Sequence, residues 1–146
     1  MYKKIVASLV ITSSLLYSQE IKNEKFQLIS KDINTKDNIV IATGDVVVFS
    51  PTYYLSADKI IYNKDNETFE LFDNVLIIKD NSVQTQSEYA FVDLKKDAFN
   101  QNPMFLYENK DKIWMNSNTS VKETEIIQLD STILSSCDCL DPIWSI

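Results

Sequence analysis

Cys137 and Cys139 are the residues best equipped for chemistry, the only two cysteines in 146 residues and one residue apart. A thiolate can act as nucleophile, metal ligand or disulfide partner. The first role needs a base, and the chain has no histidine, so imidazole-dependent serine and cysteine triads are excluded along with the commonest metal ligand. The second role needs further ligands, and neither a histidine nor a third cysteine supplies them. For the third, closing a ring across one intervening residue is strained. At least one cysteine is therefore expected to pair elsewhere, in a second chain or in a part of this chain that is not present.

The carboxylates offer less. Asp45, Asp65, Asp73, Asp80 and Asp111 fall where turns are expected, and there an aspartate satisfies the turn backbone. Nothing singles out an acid–base pair. A lone glycine, Gly44, leaves no phosphate-cradling loop. All 14 basic residues are lysine, so no guanidinium fork is available to clamp phosphate, and the net charge of -7 repels nucleic acid. The expectation is a protein that is not an enzyme, has no cofactor or metal, and has no nucleic-acid partner.

The elements that must position these residues are strands. Thr43 to Asn63 reads as strand, reversal and strand: an apolar run from Val46 to Phe49, a turn at Ser50-Pro51-Thr52, and a β-prone run from Tyr53 to Tyr62. About 29 residues later the pattern returns, with Asp73 in the place of Gly44 and Ser87-Glu88 in the place of Ala57-Asp58. A looser third copy runs from Phe105 through Trp114 to Leu134. Strands and polar turns alternate about every ten residues, which predicts an all-β fold, an antiparallel twisted β-roll or open β-jellyroll of repeated hairpins. Phe26 to Ile29 predicts a first short strand, Asn34 to Asn38 a loop, Leu94 to Asn102 a short helical turn ended by Pro103, and Asn116 to Lys122 a polar connection.

Lys3-Lys4 followed by an apolar stretch from Ile5 to Tyr17 and the small Ser18 predicts a secretory signal peptide, too short to span a membrane as a helix. Its loss removes two lysines and takes the side-chain charge from -7 to -9. The expected domains are a signal peptide over 1–18, one β domain over 19–136, and a linker over 137–146.

Ala42, Gly44, Asp45 and Val46, then Leu55, Ala57, Asp58 and Tyr62, and finally Ser136-Cys137 with Pro142, Trp144 and Ser145, match a known pattern. In these motifs the chain resembles the periplasmic N-terminal domain of the LptD family, the OstA-like or organic-solvent-tolerance proteins of lipopolysaccharide assembly. The resemblance covers the chain from about Ile33 onward. The C-terminal barrel of that family is not in this sequence, which makes a fragment or truncated product the expectation. Many members also carry a cysteine near the mature N-terminus, whereas here the second cysteine is Cys139.

The resemblance implies transport of lipopolysaccharide at the periplasmic face of the outer membrane. Acyl chains would lie in an apolar groove walled by Val46, Val48, Leu55, Ile60, Tyr62, Phe69, Leu71, Val75, Ile77, Phe91, Phe105 and Met115. These residues could equally fill a closed core, because wall and core share one sequence pattern. The implied partners are lipopolysaccharide, a periplasmic bridge protein joined by edge-strand pairing near Phe26 to Ile29, and an outer-membrane lipoprotein reached through the barrel. The segment from Glu125 to Leu134 would lie nearest that barrel. A soluble bridge protein of the same pathway, or an exported β structural protein without lipid affinity, are the alternative readings.

Overall fold

A computed structural model describes residues 25–123 and 125–136 and the backbone of Trp144 and Ser145. The signal-peptide expectation and the cysteine pair lie outside the described residues. No helix occurs among the described residues; the chain is all-β, an antiparallel open β-jellyroll as expected.

The strands are β1 (Gln27–Ile29), β2 (Asp32–Lys36), β3 (Ile39–Phe49), β4 (Tyr53–Asn63), β5 (Thr68–Lys79), β6 (Val83–Asp93), β7 (Ala98–Asn102), β8 (Met104–Glu108), β9 (Ile113–Ser117), β10 (Thr119–Glu123), β11 (Ile126–Asp130), β12 (Ile133–Ser135) and β13 (Trp144–Ser145). All pairing is antiparallel, and the sheet runs essentially in sequence order. Three expectations are corrected here. The loop expected over 34–38 is largely β2, the helical turn expected over 94–102 is a tight turn followed by β7, and the polar connection over 116–122 contains β10. In each case the segment is too polar to announce a strand, and pairing along an existing edge supplies what its side chains do not.

Side chains close the hairpin turns. Ser50 Oγ accepts hydrogen bonds from the backbone N–H of Thr52 (3.2 Å) and Tyr53 (2.9 Å), Asn63 Oδ1 accepts from Asp65 and Asn66, and Asp93 Oδ1 accepts from Lys96. The Glu108 carboxylate accepts from Lys110 (2.8 Å) and Asp111 (2.7 Å), and these backbone donors hold its carboxyl below the usual range.

One line of irregularities crosses the whole sheet. In β3, Gly44 and Asp45 both take positive φ, and 29 residues later, at the equivalent place in the repeat, Asp73 and Asn74 do the same in β5. Each pair makes a bulge opposite a single residue, Asp58 in β4 and Glu88 in β6. Asp45 and Asp73 thus sit in mid-strand bulges, not in the hairpin turns where the sequence suggested them. The line continues at Pro103 between β7 and β8, at Asn118 between β9 and β10, and at Ser131 between β11 and β12. Pro103 has no N–H to give a ladder, which breaks the pairing there.

Gly44 is the position where this seam demands glycine. Its φ is +81°, and a Cβ would stand 2.9 Å from Lys31 Cβ, whose own backbone N–H bonds the Gly44 carbonyl at 3.1 Å. Asp45 reaches back to Lys31 in an exposed ion pair, and Asn74 Nδ2 donates to Asp58 Oδ2 at 2.9 Å, so polar side chains dress the outside of the bend.

The seam sets which residues face inward. Where a strand passes it with one odd residue, strict alternation flips: β4 turns Leu55 and Ala57 inward, then Ile60 and Tyr62; β6 turns Thr85 and Ser87 inward, then Ala90 and Val92. Bent along this line, the sheet brings its two halves face to face over one core. That core is Ala42, Val46, Val48, Leu55, Ala57, Ile60, Phe69, Leu71, Val75, Ile77, Ala90 and Val92.

Candidate functional site

The two ends of the space between the half-sheets are built differently. Near β1 it is filled. Phe26 and Leu28 pack against the core, the Phe26 ring meets Phe69 edge-on at 5.3 Å, and Tyr62 stacks on the other side of Phe69 at 4.4 Å. Burial, then the nearby Glu67 charge, push the Tyr62 hydroxyl above its ordinary pKa.

Further along the sheet the halves part around a cavity of about 330 Å³. Its walls are Tyr53, Ile77, Val83 and Leu106 with Val92, Phe99 and Ile127. Register explains the set. Thr85 stands between Ile77 and Leu106, while Val92 pairs with Phe99, which pairs with Lys122. The first group belongs to one half-sheet and the second to the other. In one row of the second half-sheet, buried Gln101 stands between the small buried residues Ala90 and Ser120.

A charged cluster stands at the mouth. Lys79 ends β5 at the tip of one half, and Asp97 occupies the β6–β7 turn at the tip of the other, their side chains 3.4 Å apart. Lys122 from β10 also pairs with Asp97, and Lys79 Nζ lies 5.5 Å from the centre of the Tyr53 ring. Lys122 first, and Lys79 with it, hold the Asp97 carboxyl below its ordinary pKa against the opposing effect of burial. Burial works against the Lys79 ammonium, but Tyr53 and Asp97 outweigh it and its pKa is raised.

The twelve residues expected to form a groove wall fall into three places. Val46, Val48, Leu55, Ile60, Phe69, Leu71, Val75, Ile77 and Met115 are buried on the inward face, and Tyr62 is half-buried beside them. Of the twelve, only Ile77 also lines the cavity. Phe91 and Phe105 are a correction: both face outward. Phe91 pairs with Glu70 and Asn100, and Phe105 with Gln86 and Asn116, leaving Phe105 41% exposed. The flips at Glu88 and Pro103 reverse the parity that strict alternation assigns to them. Tyr53, Val83, Thr85, Val92, Phe99, Gln101, Leu106 and Ile127 were not singled out from sequence, and the signal that finds them is alternation restarted after each flip.

Among the described residues no group of three or more His, Cys, Asp or Glu side chains is placed to hold a metal. Three edges of the sheet are free among the described residues: β1 with β2, which pair only with β3; β11, which pairs only with β10; and β13, which pairs only with β12. β2 and β11 are exposed along their length, and Ile126, Ile127 and Leu129 of β11 are apolar.

No protein-family model matches the chain, and no curated protein matches it by sequence. In three dimensions it is similar to LptH, the LptA-homologous periplasmic component of the conserved lipopolysaccharide transport device from Pseudomonas aeruginosa. The TM-score is 0.63 at 11% identity, covering 73% of this chain and 82% of that one. The two proteins therefore share a fold, and that fold is the open β-jellyroll of LptH.

Proposed function

We propose that the chain is a periplasmic module of lipopolysaccharide transport that shelters acyl chains between its two half-sheets. The observation that carries this reading is the apolar cavity between facing half-sheets in a fold shared with LptH. Each methylene kept from water is worth roughly 0.8 kcal/mol, so an acyl chain crossing an aqueous space needs continuous cover. Walls of branched and aromatic side chains give that cover without fixing one position along the chain. The free edges at β1–β2 and at β11 suit strand addition, the first by a bridge protein and the second towards an outer-membrane assembly.

Within the pathway the Ser136-Cys137 and Trp144-Ser145 motifs favour the periplasmic part of an LptD-type protein, with an outer-membrane lipoprotein as a further partner. The likeness to LptH across 82% of that chain favours a soluble periplasmic bridge. The two readings differ in what Cys137 and Cys139 do: a bridge has no use for them, whereas an LptD-type protein joins at least one in a disulfide.

Photocrosslinking tests the shared part. A photoreactive phenylalanine analogue at position 106 should give an adduct with lipopolysaccharide in cells, while the same group at position 105, one residue away on the outward face, should not. Equal labelling at both positions, or none at 106 in folded protein, overturns the reading.

A further inference from the structure

The cavity is not uniformly apolar. Gln101 and Thr85 line it, and they are 3% and 8% exposed. Gln101 Oε1 and Thr85 Oγ1 have no hydrogen-bond partner among the described residues. The two come from facing halves of the sheet, Gln101 from β7 and Thr85 from β6 beyond the bend at Glu88. A buried amide or hydroxyl without a partner costs about 1–3 kcal/mol, and a core that only needed filling would carry leucine and valine there. A cavity of about 330 Å³ lies at the low end of the range for small-molecule sites, about 300–1,000 Å³.

We propose that this chamber is a selective seat for a hydroxylated acyl chain, with the chain's hydrocarbon against Ile77, Val83, Phe99 and Leu106 and its hydroxyl hydrogen-bonded to Gln101 and Thr85. The inference rests on the lipid-sheltering reading above and adds a chemical preference to it. The ligand hydroxyl donates its one proton to Gln101 Oε1 and accepts from the Thr85 hydroxyl. A saturated chain without the hydroxyl fits the same walls but leaves both oxygens unsatisfied. Selectivity of this kind arises because the penalty falls on the wrong ligand. The carboxylate of a free hydroxy acid would emerge at Lys79 and Lys122, in competition with Asp97.

The test is titration calorimetry of the full chain with 3-hydroxytetradecanoate and with tetradecanoate, each below its micellar concentration. The hydroxy acid should bind about five-fold tighter, the effect of one net hydrogen bond. Gln101→Leu should abolish the preference while keeping the affinity for tetradecanoate, and Thr85→Val should reduce the preference; the second variant decides the matter if the first does not fold. Equal affinities in the parent protein, a preference untouched by either substitution, or water alone satisfying the two oxygens overturn the proposal. If neither acid binds yet position 106 crosslinks to lipopolysaccharide, the hydroxyl seat fails and the lipid path stands. If position 106 also gives no adduct, the lipid path itself fails.

Discussion

Asp97 shows how much one side chain can hold in this fold. It sits at the tip of one half-sheet and pairs with Lys79 from the tip of the other and with Lys122 beside it. Because Lys122 and Lys79 lower its pKa in the folded state, its contribution is fully present above the ordinary aspartate value of about 3.9. That contribution is lost as pH falls through the lower folded value. Asp97→Asn should therefore lower the melting temperature by a constant amount from pH 5 to 8, with the difference from the parent vanishing only below about pH 4. The carboxylate is 61% exposed, so solvent screening keeps the effect within about 1 kcal/mol and salt should weaken it. Thermal melts across pH at two ionic strengths would check both statements. Neither Asp97 nor its lysines stand out in the sequence, because each looks like an ordinary turn or surface charge.

At the scale of the strand, alternation is the quantity that matters, and it resets at the seam. Phe69 and Phe105 make the contrast. Both are aromatic residues in β-prone runs, yet Phe69 is 1% exposed and holds the Phe26–Tyr62 stack, while Phe105 looks outward beyond the break at Pro103. Phe69→Ala should cost about 3–5 kcal/mol in urea denaturation. Phe105→Ser should stay within about 0.5 kcal/mol of the parent. Much of the fold was legible beforehand: the hairpin repeat, its period, and the equivalence of Gly44 with Asp73 and of Asp58 with Glu88 all correspond to real positions on the seam. What that equivalence does was not legible. A bulge pair such as Asp73-Asn74 differs from a turn only in where its neighbours pair, and pairing is a non-local property. For the same reason Val46, Val48, Leu55, Ile60, Phe69, Leu71, Val75 and Ile77 read equally as groove wall or core in the sequence, and of these only Ile77 also lines the cavity. The actual cavity is lined by residues such as Ile77, Val83, Phe99 and Leu106, a set spread over four strands that only the register brings together.

For the molecule as a whole, the seam converts one flat antiparallel sheet into two opposed faces without closing a barrel. Closure would remove the free edges and with them any means of joining end to end by backbone pairing. Keeping the sheet open leaves the interior to be sealed locally, by aromatic packing near β1 and by ion pairs at the cavity mouth. The two seals differ in kind: the aromatic one is permanent at neutral pH, and the ionic one can exchange partners with an incoming charged group.

The meander has one more consequence, and it concerns time. Nearly every strand pairs with a neighbour in sequence, mostly across a connection of two to four residues, so few long loops have to be closed before contacts form. Such wiring favours zipping outward from any early hairpin, and β4–β5 with its long paired register is the best placed to start. Opening should run the same route backwards. Hydrogen exchange should release the amides of β2 and β11 first and those of β4 and β5 last, a gradient running inward from both edges. Uniform protection across all strands would show that the sheet opens in one step.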